Sequence, residues 1–157
     1  MADLKFYGIN TQSDQAEMTL VHSLALLYNV LANEISPLLN EYDLTPGKFN
    51  ALMIIKHQGK EEGISQVEIS KKLIVTPSNM TRLLDKLEHE KLIERLALEG
   101  DKRVNLVKIT ARGSQLLDSI WPQYKKRVET AANVLSSKDQ QSLGHLLSGW
   151  LMKLTGE

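Results

Sequence analysis

The clearest structural signals in the chain lie in residues 65–112, SQVEISKKLIVTPSNMTRLLDKLEHEKLIERLALEGDKRVNLVKITAR. Ser65-x-x-Glu68 is a capping box, which predicts the start of a short helix. Thr76-Pro77 sets an N-cap residue before a proline at the first helical position, so it predicts the start of a second helix. Two segments rich in strand-forming residues follow, with turn residues between them. The predicted order is helix, turn, helix and β-hairpin.

The second of these helices has one apolar stripe and one polar face. The apolar residues recur at i, i+3, i+4 and i+7, which buries a narrow side of the helix. They are Met80, Leu83, Leu84 and Leu87. The other face carries small hydrogen-bonding side chains and two cations, a chemistry suited to base edges in a DNA major groove. These residues are Ser78, Asn79, Thr81, Arg82 and Lys86. The alternative is an ordinary solvated helix face.

The predicted hairpin pairs residues 92–98 with residues 103–109. Lys102 and Arg103 at its tip suit a minor groove or phosphates, because a narrow groove attracts cations. We expect Asp101 to orient the Arg103 guanidinium through a charge-assisted hydrogen bond. An ordinary solvated turn is the alternative. A helix-turn-helix with such a wing usually places one helix in a DNA major groove.

Long apolar helices are predicted on both sides of this region. Residues 14–40 are apolar on so much of the helix circumference that we expect burial against the same domain and against a partner. Pro37 is expected to kink or weaken the last turns. A helix capped by Thr110 and a last helix opened by Ser137-x-x-Gln140 are similarly apolar. Such helices most simply bury one another across a two-fold axis, so a homodimer is predicted.

Composition is that of an ordinary globular domain, with 157 residues, 42% apolar and 24% charged. The net charge is zero, but residues 65–112 hold ten Lys and Arg against seven Asp and Glu, a modest local excess of cations. The absence of Cys excludes disulfides, a thiol redox sensor and Cys-ligated zinc. No leader pattern or membrane span is predicted, so we expect a cytoplasmic protein.

Two segments resemble the recognition helix and wing of the MarR family of winged-helix transcriptional regulators. They are VTPSNMTRLLDKLEHEKLIER, residues 75–95, and EGDKRVNLVKITARG, residues 99–113. The matching positions include Leu92-Ile93-x-Arg95, Asp101-x-Arg103 and Thr110-x-x-Gly113. The likeness runs from Thr19 to Leu154 and is most specific from Ser65 to Gly113.

The resemblance implies a mainly α fold with a small β-hairpin wing. It is a winged helix-turn-helix of six helices, with a dimer formed by the N- and C-terminal helices. We interpret the chain as a single MarR-like domain, 1–157. Residues 1–43 and 110–157 form its helical dimerisation region, and residues 44–109 its DNA-binding region.

The resemblance also implies which residues contact DNA. The polar face described above would lie in the major groove, and Arg103, held by Asp101, would insert from the wing. The start of the preceding helix, at Ser65 and Gln66, would meet phosphate, as helix N-termini do. The whole predicted DNA-binding set is Ser65, Gln66, Thr76, Ser78, Asn79, Thr81, Arg82, Lys86, Arg95, Asp101, Lys102 and Arg103. The expected partner is double-stranded DNA with a pseudo-palindromic operator, whose half-sites lie about one helical turn apart.

Members of this family commonly repress transcription and release DNA when a small phenolic or lipophilic ligand binds. We predict a ligand crevice among the first, second and fifth helices. Its candidate residues are His22, Tyr28, Phe49, Met53, His57 and Trp121. The alternative is that these side chains belong to the core. The four His residues are scattered without ligand spacing, so neither a metal site nor a cofactor is predicted.

The leading hypothesis is a dimeric, sequence-specific DNA-binding transcriptional regulator, a repressor released by a small molecule. The alternative is a winged-helix protein-interaction module without DNA binding, favoured by the zero net charge and by Asp85 and Glu88 on the exposed helix face. Only the first hypothesis predicts DNA binding that weakens steeply with salt. An enzyme is not predicted, because the chain has no nucleophile elbow, phosphate loop or metal motif.

Overall fold

The computed structural model describes residues 4–8, 16–97 and 105–156. A short 3₁₀ turn lies at Leu4–Tyr7. The described residues then form α1 (Ala16–Asn40), α2 (Pro46–Gln58), β1 (Ile64–Ser65), α3 (Gln66–Leu73), α4 (Pro77–His89), β2 (Ile93–Ala97), β3 (Asn105–Ile109), α5 (Ala111–Ala132) and α6 (Ser137–Thr155). The predicted mainly α winged helix-turn-helix with six helices is confirmed. The wing tip, residues 98–104, lies outside the described residues.

Side-chain caps fix where α2 and α3 begin. Thr45 Oγ1 accepts a hydrogen bond from the Lys48 backbone N–H at 3.3 Å. The predicted capping box is present in full. Ser65 Oγ accepts from the Glu68 N–H at 3.2 Å, and Glu68 Oε2 accepts from the Ser65 N–H at 3.2 Å. These bonds satisfy backbone donors that a helix start leaves unpaired, so local sequence alone sets both boundaries.

α4 begins where predicted but lacks the expected cap bond, and α6 is capped one residue earlier than predicted. Thr76 is the N-cap residue of α4, but its hydroxyl lies 3.3 Å from Ser78 Oγ and does not bond the backbone. The cap of α6 is Ser136, one residue before the predicted Ser137, and its Oγ accepts from the Asp139 N–H at 3.2 Å. Both serines precede a hydrogen-bonding side chain by three residues, so the local pattern fits either register. Gln140 instead donates to backbone carbonyl oxygens at the end of α5 and beyond it.

The sheet has the order β1-β3-β2, and both pairings are antiparallel. β2 pairs with β3 from Ile93–Ile109 to Ala97–Asn105, as the predicted hairpin requires. The two-residue strand β1 pairs with the other edge of β3 through Ile64 and Val107. The sequence analysis missed β1, because two residues cannot display an alternating pattern. β1 joins the start of α3 to the sheet that carries the wing.

The described residues form two compact units. One unit, which we call the reading unit, comprises Ser36–Lys126. It contains the buried apolar core, including Leu38, Leu39, Leu44, Phe49, Ala51, Leu52, Ile55, Ile64, Ile69, Met80, Leu84, Leu87, Leu92, Ile93, Val107, Leu117 and Ile120. Burying one such side chain contributes about 1.5–3 kcal/mol. Three of the four residues in the predicted apolar stripe of α4 are fully buried, so α4 is fixed by that side and presents its other side to solvent.

The second unit, which we call the helical unit, combines the described residues before 36 with those after 126. α6 has no buried residue in the described chain, and Leu146 and Leu154 are 68% and 71% exposed. α1 likewise exposes large apolar side chains, namely Met18, Leu20, Val21, Leu24, Leu27, Tyr28 and Val30. α1 continues through Pro37 to Asn40. None of the described helices combines the length and apolar character needed to cross a bilayer.

Candidate nucleic-acid interface

The solvent side of α4 carries the side chains that the sequence predicts for base reading. Ser78, Asn79, Thr81, Arg82 and Lys86 are all exposed, while the opposite stripe is buried. Neither Arg82 nor Lys86 forms an ion pair with another described residue. The Arg82 guanidinium, the Lys86 ammonium and several small polar groups therefore project from one face of a helix whose other side is packed in the core.

The start of α3 is tied to this face by a side-chain hydrogen bond. Gln66 Nε2 donates to Thr81 Oγ1 at 2.6 Å, and Thr81 Oγ1 in turn donates to the Pro77 carbonyl oxygen at 3.1 Å. Because the single hydroxyl proton of Thr81 is used within the helix, a base contact from this residue would involve its methyl group or its oxygen. The bond fixes the relative position of the two helices of the helix-turn-helix.

The turn between these helices depends on a strained residue. Ile74 adopts the left-handed conformation, with φ 53° and ψ 46°. A β-branched residue there is unusual, because its side chain crowds the backbone. The N–H of Val75 donates to the Ser70 carbonyl oxygen at 3.2 Å, which closes the end of α3. The sequence predicts a turn here but gives no sign of its left-handed residue, since glycine is the usual residue at such a position.

Arg95, predicted as a DNA contact, is bonded to α4. Its Nη2 donates to Asp85 Oδ1 and its Nη1 donates to Glu88 Oε2, each at 2.5 Å. The Arg95 side chain is 28% exposed, and that of Asp85 is 54% exposed. The contact joins the edge strand β2 to the last turns of α4. Sequence reasoning missed it, because the partners are seven and ten residues apart and belong to different elements.

A further ion pair supports the sheet from its other side. Lys108 Nζ on β3 lies 2.8 Å from Glu61 Oε2 in the loop after α2. This hydrogen bond and the positive charge of Lys108 lower the pKa of Glu61, and the same bond raises the pKa of Lys108. Both groups are solvated, so their contribution to stability is small.

We expect Ser65→Ala to lower the stability of the protein by about 0.5–2 kcal/mol at neutral pH, since the substitution removes an N-cap. The Ser65 hydroxyl and, less strongly, its backbone N–H lower the pKa of Glu68. A carboxyl group whose pKa is lower in the folded than in the unfolded state stabilises the fold at pH values above its unfolded-state pKa. This stabilisation is lost as the pH falls through its folded-state pKa. The difference from the unsubstituted protein should therefore shrink in acid. Denaturant unfolding at several pH values measures this. A difference that grows on acidification would contradict it.

The predicted ligand residues are distributed over both units. In the reading unit, Phe49 is buried with its ring centroid 4.7 Å from that of Tyr124. Trp121, 44% exposed, stacks on Tyr124 at 5.7 Å. Phe49 and Trp121 therefore belong to one aromatic cluster, whose central member, Tyr124, the sequence analysis did not select. The rest are Met53, half-buried on α2, His57, exposed on the same helix, and His22 and Tyr28, exposed on α1 in the helical unit.

A groove of about 610 Å³ lies elsewhere in the reading unit. It is lined by Tyr42, Asp43, Glu90, Leu92, Arg112, Gln115, Leu116 and Ser119, none of which was predicted as a ligand residue. Within the described ranges, no three His, Asp or Glu side chains come together in a way that could hold a metal ion. The predicted wing contacts Asp101, Lys102 and Arg103 lie outside the described residues.

Comparison with known proteins gives a consistent result. A family model described as the MarR family matches residues 44–104. The HTH-type transcriptional regulator MhqR of Bacillus subtilis is 27% identical over 124 residues, which cover 79% of this chain and 83% of MhqR. The HTH-type transcriptional regulator PecS of Dickeya dadantii is 24% identical over 133 residues, covering 85% of this chain and 78% of PecS.

Solved structures share the fold over most of the chain. A mutant of MarR from E. coli complexed with operator DNA superposes with a TM-score of 0.77 at 25% identity, covering 85% of this chain and 94% of that chain. The S. aureus MepR–DNA complex gives a TM-score of 0.77 at 21% identity, over 85% and 96% of the two chains, which is a likeness of fold. The sequence signature, the winged helix-turn-helix and these relatives agree: residues 44–104 match the MarR family of transcriptional regulators, and most of the chain is similar to MarR-family proteins in sequence and fold.

Proposed function

We propose that this chain is a homodimeric, sequence-specific DNA-binding protein of the cytoplasm that represses transcription until a small molecule releases it. The observation that carries the proposal is the solvent face of α4. Arg82 and Lys86 stand there beside Asn79 and Ser78, all exposed, on a helix whose opposite side is buried. Arginine recognises guanine and asparagine recognises adenine through paired hydrogen bonds. The E. coli MarR structure of the same fold is described as complexed with operator DNA.

Each predicted DNA residue has a proposed role. Base reading in the major groove falls to Ser78, Asn79, Thr81, Arg82 and Lys86. Phosphate contacts fall to Ser65, Gln66 and Thr76 near the two helix starts, where backbone N–H groups favour anions. The wing residues Asp101, Lys102 and Arg103 extend the contact beyond the major groove. The guanidinium of Arg95 is bonded to Asp85 and Glu88.

The exposed apolar side chains of the helical unit support the homodimer. Large contiguous apolar surface is rare on a monomeric protein, and two copies of the same surface bury each other across a two-fold axis. We therefore propose residues 1–43 and 110–157 as the dimerisation region and residues 44–109 as the DNA-binding region. A dimer also matches the two half-sites of a pseudo-palindromic operator.

We expect Leu146→Glu to weaken the dimer at least about 100-fold, because one buried leucine per subunit contributes about 1.5–3 kcal/mol and the interface contains two copies. Sedimentation equilibrium over a range of concentrations measures the dissociation constant. Val67→Glu is the matched control, since Val67 is 64% exposed but lies on α3 in the reading unit. A dimer that survives Leu146→Glu unchanged would exclude this face from the interface.

The aromatic cluster supports the ligand part of the proposal. The half-exposed indole of Trp121, stacked on Tyr124, offers a flat apolar surface to a phenolic or lipophilic molecule. The ring centroid of Phe49 lies 4.7 Å from that of Tyr124. Met53, His57, His22 and Tyr28 stay predicted ligand residues. Release of DNA by a phenolic compound, with a parallel change in tryptophan fluorescence, is the expected behaviour.

A protein-interaction module is the second candidate, and Asp85 and Glu88 favoured it in the sequence. Both carboxylates are paired with Arg95, so they are less available to a basic partner than their positions on α4 suggest. Arg82 and Lys86 are not paired in the described chain. The charge that α4 offers to a partner is therefore positive, which favours DNA.

Selection from a random double-stranded DNA library tests the proposal without knowledge of the target genes. We expect an inverted repeat to be enriched, with half-sites about one helical turn apart. Fluorescence anisotropy on this sequence should show an affinity that falls steeply between low and physiological salt, and scrambled DNA should bind much more weakly. Failure to enrich any sequence, together with no binding at low salt, would favour the interaction module.

A further inference from the structure

The charges of α4 cancel when the helix is considered alone. Arg82 and Lys86 carry two positive charges, and Asp85 and Glu88 carry two negative charges. The Asp85 side chain is 54% exposed and that of Glu88 is 39% exposed. Under the proposed function this helix approaches a polyanion, and an unpaired carboxylate within the screening length of about 8–10 Å would repel the phosphates. A neutral helix with two exposed carboxylates is poorly suited to DNA.

Arg95 alters this balance. Its two Nη atoms bind one carboxylate each, so a single guanidinium spans Asp85 and Glu88. The geometry is possible because residues three apart on a helix lie side by side, and because the arginine fork presents several donors in one plane. In the described part of the chain, neither carboxylate is in an ion pair with any other cation. Arg95, on the adjacent strand β2, is therefore what neutralises the acidic part of α4.

We infer that Arg95 supports DNA binding as a positioning residue that neutralises, and so masks, the charges of Asp85 and Glu88, and that it does not bind a phosphate itself. The inference rests on the proposed function and deepens it, since it assigns a role to one predicted DNA residue. With Arg95 in place, the group of five charged side chains carries a net charge of +1. Without Arg95, two carboxylates face the DNA with no partner.

The two roles of Arg95 make opposite predictions when the carboxylates are removed. If Arg95 masks Asp85 and Glu88, its loss matters only while they are present. If Arg95 binds a phosphate, its loss matters equally in their absence. The discriminating comparison is therefore Arg95→Ala alone against Arg95→Ala combined with Asp85→Asn and Glu88→Gln. All three side chains are partly solvated, and none belongs to the buried core.

The measurement is the affinity of each full-length variant for the selected operator, by anisotropy at several salt concentrations. We expect Arg95→Ala to weaken binding about ten-fold per half-site, or about 100-fold for a dimer. The triple variant should bind within about three-fold of the Asp85→Asn/Glu88→Gln variant, and its salt slope should equal that of the unsubstituted protein. Arg95→Lys should recover only part of the affinity, because an ammonium cannot span both carboxylates as a fork does.

A triple variant that stays as weak as Arg95→Ala would overturn the inference, above all if its salt slope is lower by about 0.9 for each lost phosphate contact. Thermal unfolding of every variant separates these effects from loss of structure. If the unsubstituted protein binds no DNA in a salt-dependent way, the proposed function fails and the inference fails with it. Normal binding by that protein, with a weak triple variant, overturns the inference alone.

Discussion

Arg82→Ala is expected to weaken binding of the dimer to its selected operator by about 2–6 kcal/mol, which corresponds to a loss of about 30-fold to 10⁴-fold in affinity. A bidentate arginine–guanine contact is worth about 1–3 kcal/mol, and a symmetric dimer makes it twice. Arg82 is exposed on the second turn of α4 and forms no ion pair in the described chain. Under the proposed function, its guanidinium would enter the groove without first giving up a partner in the described chain.

The pattern across DNA sequences distinguishes base reading from phosphate binding at Arg82. The unsubstituted protein should bind operators changed at one base pair in each half-site with clearly different affinities, which defines its base preference at each position. Arg82→Ala should remove the base preference at one position only. Lys138→Ala is the matched control, because it deletes an exposed cation at the start of α6, which is not proposed to contact DNA. An equal loss on all DNA sequences, with the preference intact, would make Arg82 a phosphate contact.

Features of the fold that arise from neighbours three or four residues apart could be predicted from the sequence. The capping box of α3 depends on two side chains within one turn, and the buried stripe of α4 depends on a regular spacing. The same local reasoning was ambiguous at α6, where Ser136 and Ser137 both precede a suitable partner. The capping patterns therefore located the starts of α3, α4 and α6 to within one residue.

Contacts between separate elements could not be predicted in the same way. The bonds of Arg95 to α4 require β2 to pack beside that helix, and β1 is recognisable only from its pairing with β3. The left-handed Ile74 is likewise stabilised by its surroundings and not by its own preference. These features change the interpretation of the site, because a side chain assigned to DNA by its position turns out to have partners within the protein. The DNA and ligand residue sets remain predictions.

Gly113→Ala is expected to destabilise the protein by about 3 kcal/mol or more, at the upper end of the range for overpacking a core. A Cβ atom at Gly113 would lie 2.2 Å from the Leu92 carbonyl oxygen and 3.0 Å from Ile109 Cγ1. The first neighbour is backbone and cannot move away as a flexible side chain would. The same oxygen accepts a hydrogen bond from the Thr110 N–H at 3.1 Å. A shift of either backbone segment would therefore break this hydrogen bond, which links the start of β2 to the start of α5.

This expectation runs against helix propensity, which makes the test decisive. Alanine is favoured over glycine inside a helix by about 0.5–1 kcal/mol, so a position without steric conflict should gain stability. Gly47→Ala is the matched control, because the nearest neighbour of its Cβ would be Thr45 Oγ1 at 3.9 Å. We expect thermal unfolding to show a Tm lower by about 6–12 °C for Gly113→Ala and an unchanged or higher Tm for Gly47→Ala. Equal Tm values for the two variants would mean that α5 can move away from Leu92 freely. The wing strand would then not be anchored through this contact.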